Sequence, residues 1–278
     1  MPALQTTTSR KPNRTNKALD ILNANVSRIR NSDAWRDALA LRRRLHRYSF
    51  QNAMLIHLQR PDATMVAGYG RWQELGRQVR KGEKGISILA PMVKKIERED
   101  GTTDKRLFGF KAASVFDISQ TDGEPIPEPP RPEPLTADDP RASSLYDALA
   151  AYALTHGSVV SLVSRDELGD AHGCYHVLTR AISVAADLAP VHRLKTLVHE
   201  IAHAHLHGKA IPDRSLAEVE AESVAYLVLD ALGIDSGGYS FHYVAHWAGE
   251  AEDLLKAGDA AVRTADAIIA AVEEGGTA

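Results

Sequence analysis

The chain has 278 residues, 44% of them hydrophobic and 25% charged, with a net charge of −3 and one cysteine, Cys174. Those values suit one large or two modest globular domains, and a single cysteine excludes both an intramolecular disulfide and a cysteine-rich zinc finger. No apolar run approaches the ~18–20 residues of a membrane span, and the polar start MPALQTTTSRKPNRTNK lacks a signal peptide's apolar core, so a cytoplasmic setting with no membrane partner is expected.

Residues 1–15 read as a disordered basic tail. From 15 to 30, Ala18, Leu19, Leu22, Val26 and Ile29 recur at three- and four-residue steps, which predicts an amphipathic helix. A second helix is expected from the capping residues Ser32 or Asp33 to about Gln59, ahead of Pro61. It carries Trp35, Leu39, Leu45 and Leu55, and Arg42, Arg43, Arg44 and Arg47 make part of it basic. The period then changes. Strands are predicted at 64–67, 85–90, 93–97 and 107–116, with Glu99-Asp100-Gly101-Thr102 as a hairpin turn.

Residues 121–140 hold seven of the thirteen prolines and read as an extended interdomain linker. After it come a helix at 141–156 and strands at 158–163, 174–179 and 181–185. Helices are then expected at 191–207, 215–232, 240–257 and 259–274. The predicted class is α+β with two domains. Residues 16–120 form a basic unit of helices and a small antiparallel sheet, and residues 141–278 form the second.

His199-Glu200-Ile201-Ala202-His203 is an HExxH sequence inside an apolar helical run. Four residues make just over one turn, so both imidazoles leave the same face and can bind one Zn2+ ion. Glu200 is placed to hold and deprotonate water, then pass the proton to a leaving amine. On the next predicted helix, Glu218 and Glu222 share a face, whereas Glu220 points about 200° away from Glu218. Glu218 is taken as third ligand and Glu222 as a carboxylate hydrogen-bonding a ligand histidine, with the reverse assignment open. The plain alternative for the whole group is two satisfied histidines beside a solvated acidic face. His205 and His207 are read as favourable charges at a helix C-terminus. Among Tyr239, His242, Tyr243 and His246, one could donate to an oxyanion, although packing is the commoner role. His172, His176 and His192 are given no role, and Cys174 is read as a packed thiol.

The two halves differ in charge. Residues 1–120 carry 23 Lys and Arg against 11 Asp and Glu, and the rest carry 10 against 25. Such a basic half suggests a polyanion partner, unless the two halves simply attract each other. Its stretches YSFQN and GYGRWQELGRQVRKGEKG interleave rings with cations, a pattern suited to single-stranded DNA. Arg77, Arg80, Lys81 and Lys84 are the candidate phosphate contacts and Tyr48 and Trp72 the candidate stacking rings, against the alternative that the aromatics are core.

The stretches TLVHEIAHAHLH and EVEAESVAYLVLDALG resemble the zincin metallopeptidases with a glutamate ligand, more closely the minimal zincins of the ImmA/IrrE and ArdC groups. YSFQNAMLI, QRPDATMVAGYGRWQELGRQVRKGEKGISILAP and GFKAASVFDISQT are similar to the N-terminal domain of ArdC-type antirestriction proteins. This resemblance implies a single-stranded-DNA-binding domain joined to a zinc metallopeptidase-like domain, on a protein of mobile elements that protects incoming DNA. It implies zinc on His199, His203 and Glu218, Glu200 as base, and a strand before the metal helix whose edge holds a peptide substrate. A DNA-binding protein with a structural or vestigial zinc, and a regulatory protease cleaving a repressor-like partner, are the alternatives.

Overall fold

The computed structural model describes residues 14–45, 48–97, 103–126, 141–208, 213–234, 241, 244 and 250–275. In chain order the elements begin α1 (Arg14–Ala24), α2 (Val26–Ile29), α3 (Ser32–Arg44), α4 (Phe50–Gln59), β1 (Val66–Gly68), α5 (Tyr69–Glu74), β2 (Arg77–Val79), β3 (Ile86–Glu97), β4 (Thr103–Asp117) and β5 (Thr121–Gly123). They continue with α6 (Arg141–Thr155), β6 (Val159–Val163), α7 (Arg165–Leu168), β7 (Gly173–His176), β8 (Ala181–Ala185), α8 (Pro190–Leu206), α9 (Arg214–Ala231) and α10 (Ala251–Gly275). The fold is α+β, as expected. The tail up to residue 13, the hairpin turn at 99–102, most of the proline-rich stretch and Tyr239, His242, Tyr243 and His246 lie outside the described residues.

Two compact units emerge: Met1–Ile29 with Asn52–Pro125, and Arg30–Gln51 with Ile126–Ala278. In the first, β4 is the central strand of an antiparallel sheet ordered β1-β4-β3, and β2 pairs with β5. The Asn52 and Gln59 side chains of α4 cover the outer edge of β3. Each amide both donates to and accepts from one residue's backbone, Asn52 with Leu89 and Gln59 with Ser87, at 2.8–2.9 Å. That satisfies polar groups an edge strand would otherwise leave open. Pro91 is tolerated within β3 because β3 is an edge strand, and the pairing slips by one residue between Met92 and Val93.

The second unit holds a three-stranded sheet, β6-β8-β7, with β6 parallel and β7 antiparallel to β8. α8 packs on this sheet and on α9, and α10 packs on α9 and α6. α3 belongs to this unit. Trp35 is fully buried and its Nε1–H donates to Ser223 Oγ at 3.0 Å. Arg42 pairs with Asp266 at 2.8 Å and Arg43 with Asp230. Phe50 tilts against Trp35 with ring centroids 4.5 Å apart.

Several sequence expectations change. The helix predicted over 32–59 is two helices, because the chain leaves helical geometry at Leu45 (ψ 49°). α3 uses its apolar face in the second unit, so the boundary does not fall at the prolines alone. Thr121–Gly123, read as linker, is a strand. The break expected near residue 258 is absent. Gly258 lies inside α10 because a Cβ there would collide with the Phe50 ring.

Candidate metal centre and nucleic-acid interface

α8 begins with Pro190 at its first turn and buries Leu194, Leu197, Val198, Ile201 and Ala202. This apolar face fixes the helix rotation and leaves His199, His203 and His207, spaced four apart, in one column. Gly173 of β7 lets the strand lie flush on α8; a Cβ there would stand 2.6 Å from Thr196 Cγ2 and 3.1 Å from Glu200 Oε1. α9 starts at the Asp213 cap, whose carboxylate accepts from the N–H groups of Ser215 and Leu216. One turn in, Glu218 faces the column.

The Nε2 atoms of His199 and His203 lie 3.1 Å apart, and Glu218 Oε2 and Oε1 lie 3.4 and 3.9 Å from them respectively. Among the described residues this trio is the one group of histidine, cysteine and carboxylate atoms close enough to hold a metal ion. Bonds of about 2.0–2.1 Å in tetrahedral geometry put neighbouring donor atoms about 3.3 Å apart, so the donor set fits a zinc-sized ion. Burial and His199 push the His203 imidazole down to about 4, which keeps it neutral and able to ligate. Burial also pulls His199 down, but the Glu218 carboxylate with Glu200 and Glu222 outweighs it and the net shift is upward. Burial would raise Glu218, but the two histidines and Arg214 hold it below its ordinary value.

Glu200 faces the other side of the trio and is 7% exposed. Burial pushes its carboxyl up to about 7, against His199 and a hydrogen bond from the Tyr175 backbone. An acid poised there can both take and return a proton near neutral pH. These groups open into a cleft of about 1000 Å³ bordered by β7. β7 is the outer strand of its sheet.

Glu222, expected to hydrogen-bond a histidine of the trio, is not the carboxylate that meets the histidine column; Glu220 is. His203 Nδ1 meets His207 Nδ1 at 2.9 Å, and His207 Nε2 meets Glu220 Oε2 at 2.8 Å. With Nε2 of His203 turned to the trio, its proton sits on Nδ1 and is donated to His207. His207, 3% exposed, then donates from Nε2 to Glu220. Helical projection keeps Glu220 off the Glu218 face, but α9 is buried nearly all round, so a residue off that face still meets protein, here His207. The HxxxH spacing of His203 and His207 was the available signal. Glu222 instead keeps Oε2 shielded from water with no hydrogen-bond partner among the described residues, and burial pushes its carboxyl up to about 7.

The DNA candidates divide. Trp72 is fully buried, with Nε1–H donated to the Phe116 carbonyl at 2.9 Å, so it is a core ring that cannot stack on a base. Tyr48 is partly buried. Arg77 spends its guanidinium on Thr121, Gly123 and Glu124 and so pins β5 to β2. Arg80 pairs with Glu83 at 2.8 Å and Asp122 at 3.4 Å. Lys81 and Lys84 are exposed and form no ion pair among the described residues.

Residues 16–116 match the family model of the N-terminal domain of anti-restriction factor ArdC. An uncharacterized protein of Bacillus anthracis is 26% identical over 245 residues, covering 74% of this chain and 42% of its own length. The chain therefore spans less than half of that relative. The metal-free crystal structure of the antirestriction protein ArdC from the R388 plasmid superposes with a TM-score of 0.55 at 22% identity, covering 81% of this chain and 84% of that one. Its Mn(II)-bound structure gives 0.59 at 21% identity, covering 93% and 97%. Residues 16–116 thus carry the N-terminal domain of the ArdC family, and most of the chain shares the fold of the R388 ArdC structures.

Proposed function

We propose that the chain is an antirestriction protein that binds single-stranded DNA through its first unit and acts as a zinc-dependent metallopeptidase through its second. The observation that carries the enzymatic half is the meeting of His199, His203 and Glu218 beside the buried Glu200 carboxylate. Two imidazoles and a carboxylate suit zinc. An ion held there would supply Lewis acidity, acidifying water and polarising a carbonyl. Glu200 takes the proton of the attacking water and returns it to the departing amine. The outer edge of β7 offers backbone groups to an extended peptide.

Two variants test this. Zinc competition against a chromophoric chelator should give one ion per wild-type chain and none for His203→Ala. Glu200→Gln should keep the ion but lose hydrolysis of denatured casein and protection of incoming plasmid DNA. Full protection by Glu200→Gln would make the zinc structural and leave DNA binding as the activity.

A further inference from the structure

We propose that the outer face of the β3–β4 ribbon is the platform on which single-stranded DNA stacks, with Phe108 and Phe110 as the base-contacting rings and Lys81 and Lys84 as phosphate contacts. This rests on the DNA-binding reading above and relocates its rings.

The register defines the face. Pro91 pairs with Phe110 and Val93 with Leu107 on one side of the sheet, and Leu89 and Ser87 continue that side but are only 7% and 6% exposed, so its open part is the turn-ward end. Phe108 sits at the slip between Met92 and Val93, where β4 has one residue more than β3. Phe108 is 65% exposed, Leu107 51%, Phe110 48% and Val93 47%. β1 pairs only with residues 115–117 of β4, so towards the turn the ribbon has no third strand among the described residues. Bare two-stranded ribbons are marginal in water, and displaying two phenylalanines on one costs stability unless a ligand covers them.

On the same side of β4, past the buried Leu89 and Ser87 of β3, Ser114 is exposed and the half-buried Phe116 ring meets the 44%-exposed Tyr69 edge-on at 6.4 Å. From Phe110 to Phe116 the strand runs about 20 Å, the length of a few extended nucleotides. Gly85 lies against this end: a Cβ there would stand 2.8 Å from Ser114 Cβ and 3.3 Å from the Phe116 ring. The exposed Lys84 directly precedes Gly85 in the chain, and the exposed Lys81 lies three residues before Lys84. These two are the exposed cations of the predicted basic set that no carboxylate neutralises among the described residues, whereas Arg77 and Arg80 are consumed internally. Rings that stack without reading sequence, edged by unneutralised lysines, match a single strand's chemistry: bases outward and phosphates regularly spaced.

The test is fluorescence anisotropy of labelled dT20 with the full chain in chelator, across a salt series, for wild type, Phe108→Ala/Phe110→Ala and Lys81→Ala/Lys84→Ala. The phenylalanine pair should weaken binding at least ~10-fold with an unchanged salt slope. The lysine pair should weaken it and flatten the slope by about 1.4. Wild type that fails to bind dT20 rejects the DNA reading itself. Wild type that binds while the phenylalanine variant binds equally well rejects the platform alone. So does a variant that keeps its DNA affinity but turns a dimer into a monomer on size exclusion, which would make the face a protein interface. Should the double variant misfold by circular dichroism, photocrosslinking wild type to 4-thiothymidine dT20 decides. Adducts within residues 106–111 support the platform, and adducts only elsewhere overturn it.

Discussion

Single side chains in the metal centre are held by partners that the column of three histidines conceals. The path from His203 through His207 to Glu220 fixes a tautomer, and a ligand fixed in tautomer and orientation binds tighter than a free one. Glu220→Ala should weaken zinc binding about 10–100-fold, and Glu220→Gln should restore much of it because its amide oxygen still accepts from His207. Chelator competition separates the two, and ring ¹⁵N spectra should show His207 losing its single tautomer in the alanine variant only. Asp117 plays the corresponding part in the first unit. It accepts from the N–H groups of Thr64 and Met65 and from the N–H and hydroxyl of Ser119 at 2.6–3.1 Å. Burial would raise its pKa, but these bonds to the charged form outweigh it and the net shift is downward from 3.8. A carboxylate lowered on folding contributes its full stability above the unfolded value and loses it as pH falls through the folded one. The first unit should therefore weaken below about pH 4. Asp117→Asn should cost about 1–3 kcal/mol at neutral pH and remove that acid dependence, read from melting curves at pH 3–7.

At the scale of elements, the helices that carry chemistry were legible and the assignments that failed share a cause. α8 and α9 follow apolar periodicity, α8 opening at Pro190 and α9 at the Asp213 cap, and helix geometry picks out Glu218 as the carboxylate beside His199 and His203. Trp72 was misplaced because a ring between cations has the same local pattern whether it faces water or Phe116, and only the sheet decides. Arg77 and Arg80 were misread because β2 and β5 are three residues long, too short for a period to show. α3 hid differently. Its arginines look like a polyanion surface, yet Arg42 and Arg43 meet Asp266 and Asp230, acids far away in sequence. Trp35→Ala should cost about 3–5 kcal/mol in the second unit. A fragment of residues 126–278 should melt without cooperativity, because the surfaces of α9 and α10 that receive α3 are then exposed. Adding a peptide of residues 30–51 should restore a cooperative transition by calorimetry.

For the whole molecule, the true partition changes the charge argument. Counted by unit rather than by half, the first unit carries a net +6 and the second −9. The polyanion signal survives, but residues 30–51 take a net +4 of the +12 into the second unit, and Asp122 and Glu124 add two negative charges to the first. The two units should also answer metal separately. An ion binding only the folded second unit at 100 times its Kd adds about 2.7 kcal/mol to that unit alone. Calorimetry with zinc or chelator should move one transition and leave the other in place.

The chain visits the second unit with residues 30–51, leaves it, and returns only at 126. During synthesis this gives the ribosome an ordering problem. Trp35 emerges early, but its partner Ser223 is 188 residues downstream. At about 5–20 residues per second, the tryptophan and its apolar neighbours wait roughly 10–40 s for their binding surface. The segment is thus a natural client for a nascent-chain chaperone, and α8 and α9 gain the support of α3 only once residues through α9 and α10 have left the exit tunnel.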